Sequence, residues 1–179
     1  MFKDYICFQG QNTFFQKLGV EGIPVTVLKS ENKSVLLKAI QEQRRLKKIV
    51  IAEGGSLNRL MIEQKLIDIL VNPEKGIERD FLHSRNSGLN QVLCRLAKQN
   101  KSVIGFSFSA FLNCEGEVRA MLLGRMMQNV RLCRKYKVKI ILGSFAKNEF
   151  ELRNRDALLH FGIFLGMKPE EAKRALEKN

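Results

Sequence analysis

Short apolar runs alternate along the chain with longer stretches of helical periodicity. The runs DYICF (4–8), IPVTVL (23–28), KIVIA (48–52), LIDILV (66–71), SVIGFSF (102–108) and VKIILG (138–143) are rich in β-branched residues and bounded by turn formers. They predict strands. Between them the pattern predicts helices over 33–46, 56–65, 88–100 and 116–136, then a helical tail over 149–178. Continuous apolar strands, rather than alternating ones, imply a sheet buried on both faces. Strand–helix alternation implies parallel strands joined by right-handed crossovers. A doubly wound sheet and a barrel both satisfy the pattern. A full eight-fold barrel usually needs ~250 residues, so a barrel built from 179 residues is an abridged one. No Pro- or Gly-rich linker and no internal repeat divides the chain, which predicts a single domain over residues 1–179.

Two helices carry more than their periodicity. In 88–100, Leu89, Val92, Leu93, Leu96 and Ala97 share a face while Arg95 and Lys98 point away. In 116–136 the apolar arc is Val118, Leu122, Met126, Val130 and Cys133, yet Arg119 and Asn129 project inside it. Burying such groups is costly unless they are paired. Either they reach a rim to meet a partner or they belong to an interior polar network.

Composition narrows the class. Hydrophobic residues make up 45% of the chain, enough for a globular core, and no run approaches the ~18 apolar residues of a membrane span. The N-terminus, MFKDYICFQG, lacks the pattern of a secretory signal, so a cytoplasmic location is expected. Cys7, Cys94, Cys114 and Cys133 lie far apart and form no CxxC pair, which predicts free thiols rather than a zinc site.

Charge changes the picture most. Lys and Arg number 31 against 18 Asp and Glu, a net +13. From Phe81 to Asn148 there are twelve Lys and Arg but only two acids, Glu115 and Glu117, so this stretch holds +10 of the total. So lopsided a face points to a polyanionic partner. No basic amphipathic helix with bulky aromatics on its apolar side favours a membrane surface.

The segments expected after strand ends hold the candidate chemistry. EGGS (53–56) resembles a phosphate cradle but lacks the rest of a nucleotide-binding pattern, so a tight turn with Ser56 as helix N-cap is the better reading. HSRNSGLN (83–90) is richer. Asn86 or Ser87 can cap the next helix, leaving His83 and Arg85 at its positive end, and with Arg79 they form an anion site whose arginine forks match phosphate oxygens. His83 could also act as a base beside Glu53, Asp68 or Asp80. With only His83 and a structural His160, and no nucleophile motif such as GxSxG, hydrolytic metal and covalent chemistry are disfavoured.

SRNSGLNQVLCRLAKQNKSVIGFSFS, NVRLCRKYKVKIILGSFAKN and ELRNRDALLHFGIFLGM, in that order, resemble the archaeal ribonuclease P protein component 3 family, counterparts of the thirty-kilodalton subunit of the eukaryotic enzyme. The resemblance runs over nearly the whole chain and is strongest over 78–168, although the chain is shorter than a typical member. It implies an abridged TIM-like (β/α) barrel, related to the polymerase and histidinol phosphatase hydrolases but without their activity. It also implies a place in the ribonucleoprotein that removes the 5′ leader of precursor tRNA. There the RNA subunit holds the catalytic magnesium, and this subunit pairs with a smaller α/β protein partner. The first strand, KDYICFQ, lacks the HxH metal pair of the hydrolase relatives, so no cofactor on the protein itself is expected.

The donor-rich stretch then reads as a grip on RNA backbone, with Asn and Ser reaching 2′-hydroxyls or base edges. The expected contacts are Arg79, His83, Arg85, Asn86, Ser87, Asn90, Arg95, Lys98, Lys101, Arg119, Arg125, Lys147, Arg153 and Arg155. Arg79, His83, Arg85, Arg153 and Arg155 are expected to meet at the strand ends, and Lys101 joins them only if the patch wraps around the barrel. The alternative is a small barrel enzyme acting on a phosphorylated metabolite, which would need a basic pocket rather than a long basic stretch.

Overall fold

A computed structural model describes residues 1–9, 13–76, 79–80 and 82–177. All strand pairing in it is parallel. Strands β3 (Val27–Leu28), β4 (Ile51–Glu53), β5 (Ile69–Val71), β6 (Val103–Ser107) and β7 (Ile140–Gly143) form a five-stranded sheet in that order. Strands β1 (Phe2–Ile6) and β2 (Val20–Pro24) form a separate pair. The wall curls into a barrel through two joints. On one side β2 runs directly into β3, interrupted where Pro24 offers no N–H. On the other, Ile6 bridges Ala146 just past β7, and the Cys7 amide donates to the Ala146 carbonyl at 2.7 Å. Asp4, fully buried, staples that second joint by accepting the Ser144 amide at 3.0 Å.

Continuous apolar strands are explained by the two cores they separate. Tyr5, Ile51, Ile69, Val71 and Ile141 point inward and pack with Phe145 in the lumen. Their neighbours Ala52, Leu70, Ile104, Phe106 and Leu142 point outward into a larger core under the helices. The lumen is narrow. A Cβ on Gly105 would lie 2.9 Å from Val71 Cγ2, so only glycine leaves room for its neighbours.

The helices that cover the wall are α1 (Thr13–Leu18), α2 (Lys33–Arg45), α3 (Asn58–Glu63), α4 (Gln91–Asn100), α5 (Phe108–Leu112), α6 (Gly116–Tyr136), α7 (Arg155–Phe164) and α8 (Pro169–Leu176). The predicted strand at 23–28 is instead split at Val25 and Thr26, just after Pro24, and α1 and α5 are additional to the predicted set. The single helical tail expected over 149–178 is three pieces, a 3-10 turn at Glu149–Glu151, α7 and α8. Asn154 starts α7 by accepting the Ala157 amide at 2.9 Å. Gly166, at φ +91°, and Pro169 separate α7 from α8. The predicted apolar faces hold except at Val92 and Val118, which stay exposed. Among the described residues no helix is long and apolar enough to cross a membrane, and the four cysteines are free.

Filling the lumen should be costly. Gly105→Val is expected to lower stability by about 1–3 kcal/mol through overpacking, read as a shifted urea midpoint at unchanged slope.

Candidate nucleic-acid interface

The connection from β5 to α4 is long, and buried amides shape it. Asn72, at φ +51°, ends β5 and accepts the Ser107 amide through Oδ1 at 3.1 Å. Asn58, buried on α3, donates Nδ2 to the Pro73 carbonyl at 2.7 Å and to Gly88 O at 3.3 Å, and accepts the Gly55 amide at 2.9 Å. Pro73 and Gly88, near the two ends of the connection, are therefore gathered by one side chain. Gly54 and Gly88 stand where this happens. A Cβ on either would collide with the backbone at Asn72 or Pro73, and Gly88 is also at φ +75°. Gly54, directly after β4, thus serves chain-to-chain approach rather than a phosphate cradle. Ser56 does not cap α3, whose N-cap is Leu57 without a side-chain bond.

Helix α6 receives the outer part of the loop along one ridge. Asn129, fully buried, donates Nδ2 to the Ser87 carbonyl at 2.8 Å and to Glu74 Oε2 at 3.1 Å. Gln128 donates to Arg85 O at 3.0 Å and to Ser87 Oγ at 3.1 Å. Arg125, buried, donates Nε to Asp80 Oδ1 at 2.8 Å, and the Asn86 amide donates to the same oxygen at 3.0 Å. The Arg85 guanidinium lies across Gly124, where a Cβ would sit 2.5 Å from Nε. Asn129 is thus part of an interior network. Arg119 instead donates to the Cys114 and Leu112 carbonyls and lies 5.3 Å from the Phe111 ring centroid, holding carbonyls freed at the end of α5.

Two carboxyls in this region depart from ordinary behaviour. Burial pushes Glu74 up to about 8, only partly countered by its hydrogen bonds and by Lys75 and Arg125. Its Oε1 and Asn129 Oδ1 find no hydrogen-bond partner among the described atoms. Desolvation raises Asp80, but the Asn86 amide and Arg125 outweigh it and hold the carboxyl below its usual range.

The structure sorts the expected contacts into three groups. Arg79, His83, Arg85, Lys147 and Arg155 are exposed in segments that follow β5 and β7, at the C-terminal ends of the strands. Arg95, Lys98 and Lys101 are exposed along α4, and Lys101 directly precedes β6 at the other end of the barrel. One basic surface therefore does not gather them all. The third group is tied up inside the fold. Ser87 and Arg125 are buried, and Asn86 is half-buried. Arg153 donates to the Phe150 and Leu152 carbonyls while lying 5.0 Å from the Phe108 ring centroid. Neither Asn86 nor Ser87 caps α4. Asn90 does, accepting the Leu93 amide at 2.9 Å, although it is itself exposed.

The barrel mouth was the other candidate. Glu53 stands between Lys29 and Lys75, each 2.8 Å away. Desolvation raises its carboxyl, but the two ammonium groups more than offset this and lower it. A cavity of about 30 Å³ lies beside Asn72, Ser107 and Lys147. Asp68 lies at the opposite end, accepting the Val50 amide at 2.8 Å, and Asp80 is held by Arg125. The carboxylates proposed for the enzyme alternative thus do not converge on His83. Among the described residues no three His, Cys, Asp or Glu cluster. A mouth whose one carboxylate is held by two ammonium groups does not fit a hydrolytic metal centre.

A model of the family described as RNase P subunit p30 matches residues 24–179. Ribonuclease P protein component 3 of Methanosarcina acetivorans is 34% identical over 151 residues, 83% of this chain and 60% of that protein. The protein of that name from Methanocaldococcus jannaschii is 31% identical over 152 residues, 84% of this chain and 62% of that protein. A chain in the cryo-EM structure of archaeal ribonuclease P with mature tRNA superposes with a TM-score of 0.74 at 26% identity, covering 97% of this chain and 76% of that one. The chain spans about 60% of the length of the first two relatives.

The buried acid generates a pH prediction. A carboxyl whose folded value is raised to about 8 favours folding while protonated. Its contribution is complete below the unfolded value of ~4.3 and is lost as pH rises toward the folded value. Glu74→Gln should remove this dependence. Its melting temperature relative to the unsubstituted protein should rise steadily between pH 5 and pH 8.5, and a constant difference would refute the buried-acid account.

Proposed function

The chain belongs to the RNase P subunit p30 family, and from that premise we propose that it is an RNA-binding protein subunit of ribonuclease P. In this reading it assists the catalytic RNA in removing the 5′ leader of precursor tRNA in the cytoplasm. It contacts the RNA subunit directly and precursor tRNA indirectly, and it binds other protein subunits, a smaller α/β protein among them. Magnesium resides on the RNA, and the isolated chain does not cleave.

The observation that carries the proposal is the superposition on a chain of archaeal ribonuclease P over 97% of this one. Two features of the molecule support it. The net +10 over residues 81–148 suits a polyanion. The barrel mouth, where related folds place catalysis, is closed by Glu53 and its two lysines.

The loop on α6 supplies the grip. With Asp80 and Ser87 held by α6, and the Asn86 amide held by Asp80, the side chains of Arg79, His83 and Arg85 stay outside the network and face solvent. The roles of Asp80 and Arg125 are structural, and this division can be tested by paired substitutions. Arg85→Ala should weaken binding to ribonuclease P RNA several-fold, since one charged hydrogen bond is worth on the order of 1–2 kcal/mol, with little change in melting temperature. Arg125→Ala should instead destabilise the protein by about 2 kcal/mol through loss of the bond to Asp80. Early melting of Arg85→Ala with intact RNA affinity would show the loop to be only structural.

Reconstitution tests the function itself. Omitting the chain from ribonuclease P rebuilt from RNA and purified proteins should reduce precursor-tRNA cleavage, and the chain alone should cleave nothing. RNA affinity should fall by orders of magnitude between about 50 and 200 mM salt if six or more phosphates are contacted. Cleavage by the RNA-free chain would overturn the assignment.

A further inference from the structure

A cavity of about 530 Å³ lies away from the loop and from the barrel mouth. It opens at the end of the barrel where the strands begin, between the last turns of α4 and α6, the start of β7, and α8. Val138, Met167 and Ala175 are nearly buried in its floor, with half-buried Ile140 beside them. Lys98, Lys137, Lys139 and Arg174 stand around it. One wall is rigid. Arg134 grips Glu171 at 2.6 and 2.8 Å and the Gly166 carbonyl at 2.6 Å, tying α6 to the turn before α8. That pairing neutralises both members and leaves four cations against Glu177. Lys98, Lys137 and Lys139 form no ion pair with any described carboxylate.

We propose that this groove docks an acidic segment of another protein component of the assembly, with apolar side chains in the floor and flanking carboxylates on the lysines. The proposal rests on the ribonuclease P reading above, under which relatives called component 3 have companion components. Its volume falls in the ~300–1,000 Å³ range of pockets that enclose a ligand or anchoring side chains. Charge and apolarity together select the occupant. Nucleic acid would bring phosphates to the cations but leave the apolar floor uncovered, and no aromatic side chain lines the groove to stack a base. Leucine- or isoleucine-like side chains fill such a floor, and carboxylates at the rim reach lysines that no described carboxylate pairs with.

The test uses the full chain and each other purified protein component of its ribonuclease P, mixed singly without RNA at ~150 mM salt and followed by calorimetry. The double variant Lys98→Glu with Lys139→Glu reverses two exposed charges without touching the floor. A control, Arg79→Glu with Arg155→Glu, makes the same charge change at the opposite end of the barrel. Melting temperature and affinity for ribonuclease P RNA are measured for all three proteins. One component should bind the unsubstituted chain, and the Lys98/Lys139 variant should lose about tenfold or more of that affinity. The control should keep protein binding and lose RNA binding more strongly. Binding of no component, unchanged affinity in the Lys98/Lys139 variant, or a larger RNA defect there than in the control would each overturn the inference. If the unsubstituted chain binds its protein component but not the RNA, the groove stands and the RNA-binding reading fails.

Discussion

A single buried amide, Asn129, organises the surface on which the functional reading depends. Helix α6 places it where its periodicity calls for an apolar side chain, and a polar group there is costly unless bonded. Its Nδ2 meets that requirement with the Ser87 carbonyl and the Glu74 carboxyl, which lie near the two ends of the β5–α4 connection. The loop is therefore docked by α6 rather than by sheet pairing. Asp80 and Arg125 add a second tether one turn along the same helix. The arginines between these tethers have no place inside, and their exposure follows from the docking.

The same economy governs the barrel. Strands of three to five residues, apart from two-residue β3, leave few ladder bonds, so closure relies on side chains at the joints. Asp4 reaches the Ser144 amide across one joint, and at the mouth Glu53 draws together Lys29, just after β3, and Lys75, beyond β5. Groups that a catalytic barrel would use to bind a charged substrate here neutralise one another.

The apolar pattern made the strands and the long helices legible because both faces of the sheet are buried, so each strand reads as an uninterrupted run. Pro24, Asn154, Gly166 and Pro169 carried the signals for the broken strand and the broken tail, but continuous apolar periodicity on both sides masked them. Helix α5 was hidden because Phe108 reads as the end of β6 and the next few residues are too short a stretch to show helical periodicity. Within the site, the richness of donors in 79–90 was visible, yet the division between surface and interior was not. Arg125 and Arg85 look alike as single residues, and only the ridge Gly124, Arg125, Gln128 and Asn129 on α6 separates them. The cap on α4 was misassigned for a related reason. Ser87 offers a hydroxyl, but the chain does not turn helical until after Asn90.

Charge is then distributed by architecture rather than by sequence order. Helices α4 and α6 both run from the C-terminal ends of the strands toward the N-terminal ends, so cations near in sequence separate in space. Arg79 and Arg85 remain with the loop, while Lys98, Lys137 and Lys139 collect at the far end around an apolar floor. Those far-end cations also lie near helix carbonyl termini, where positive charge is favoured even without a partner. A strongly basic chain of this kind therefore presents two different surfaces, one electrostatically exposed and suited to phosphates, the other recessed, partly compensated and suited to carboxylates that bring apolar surface with them.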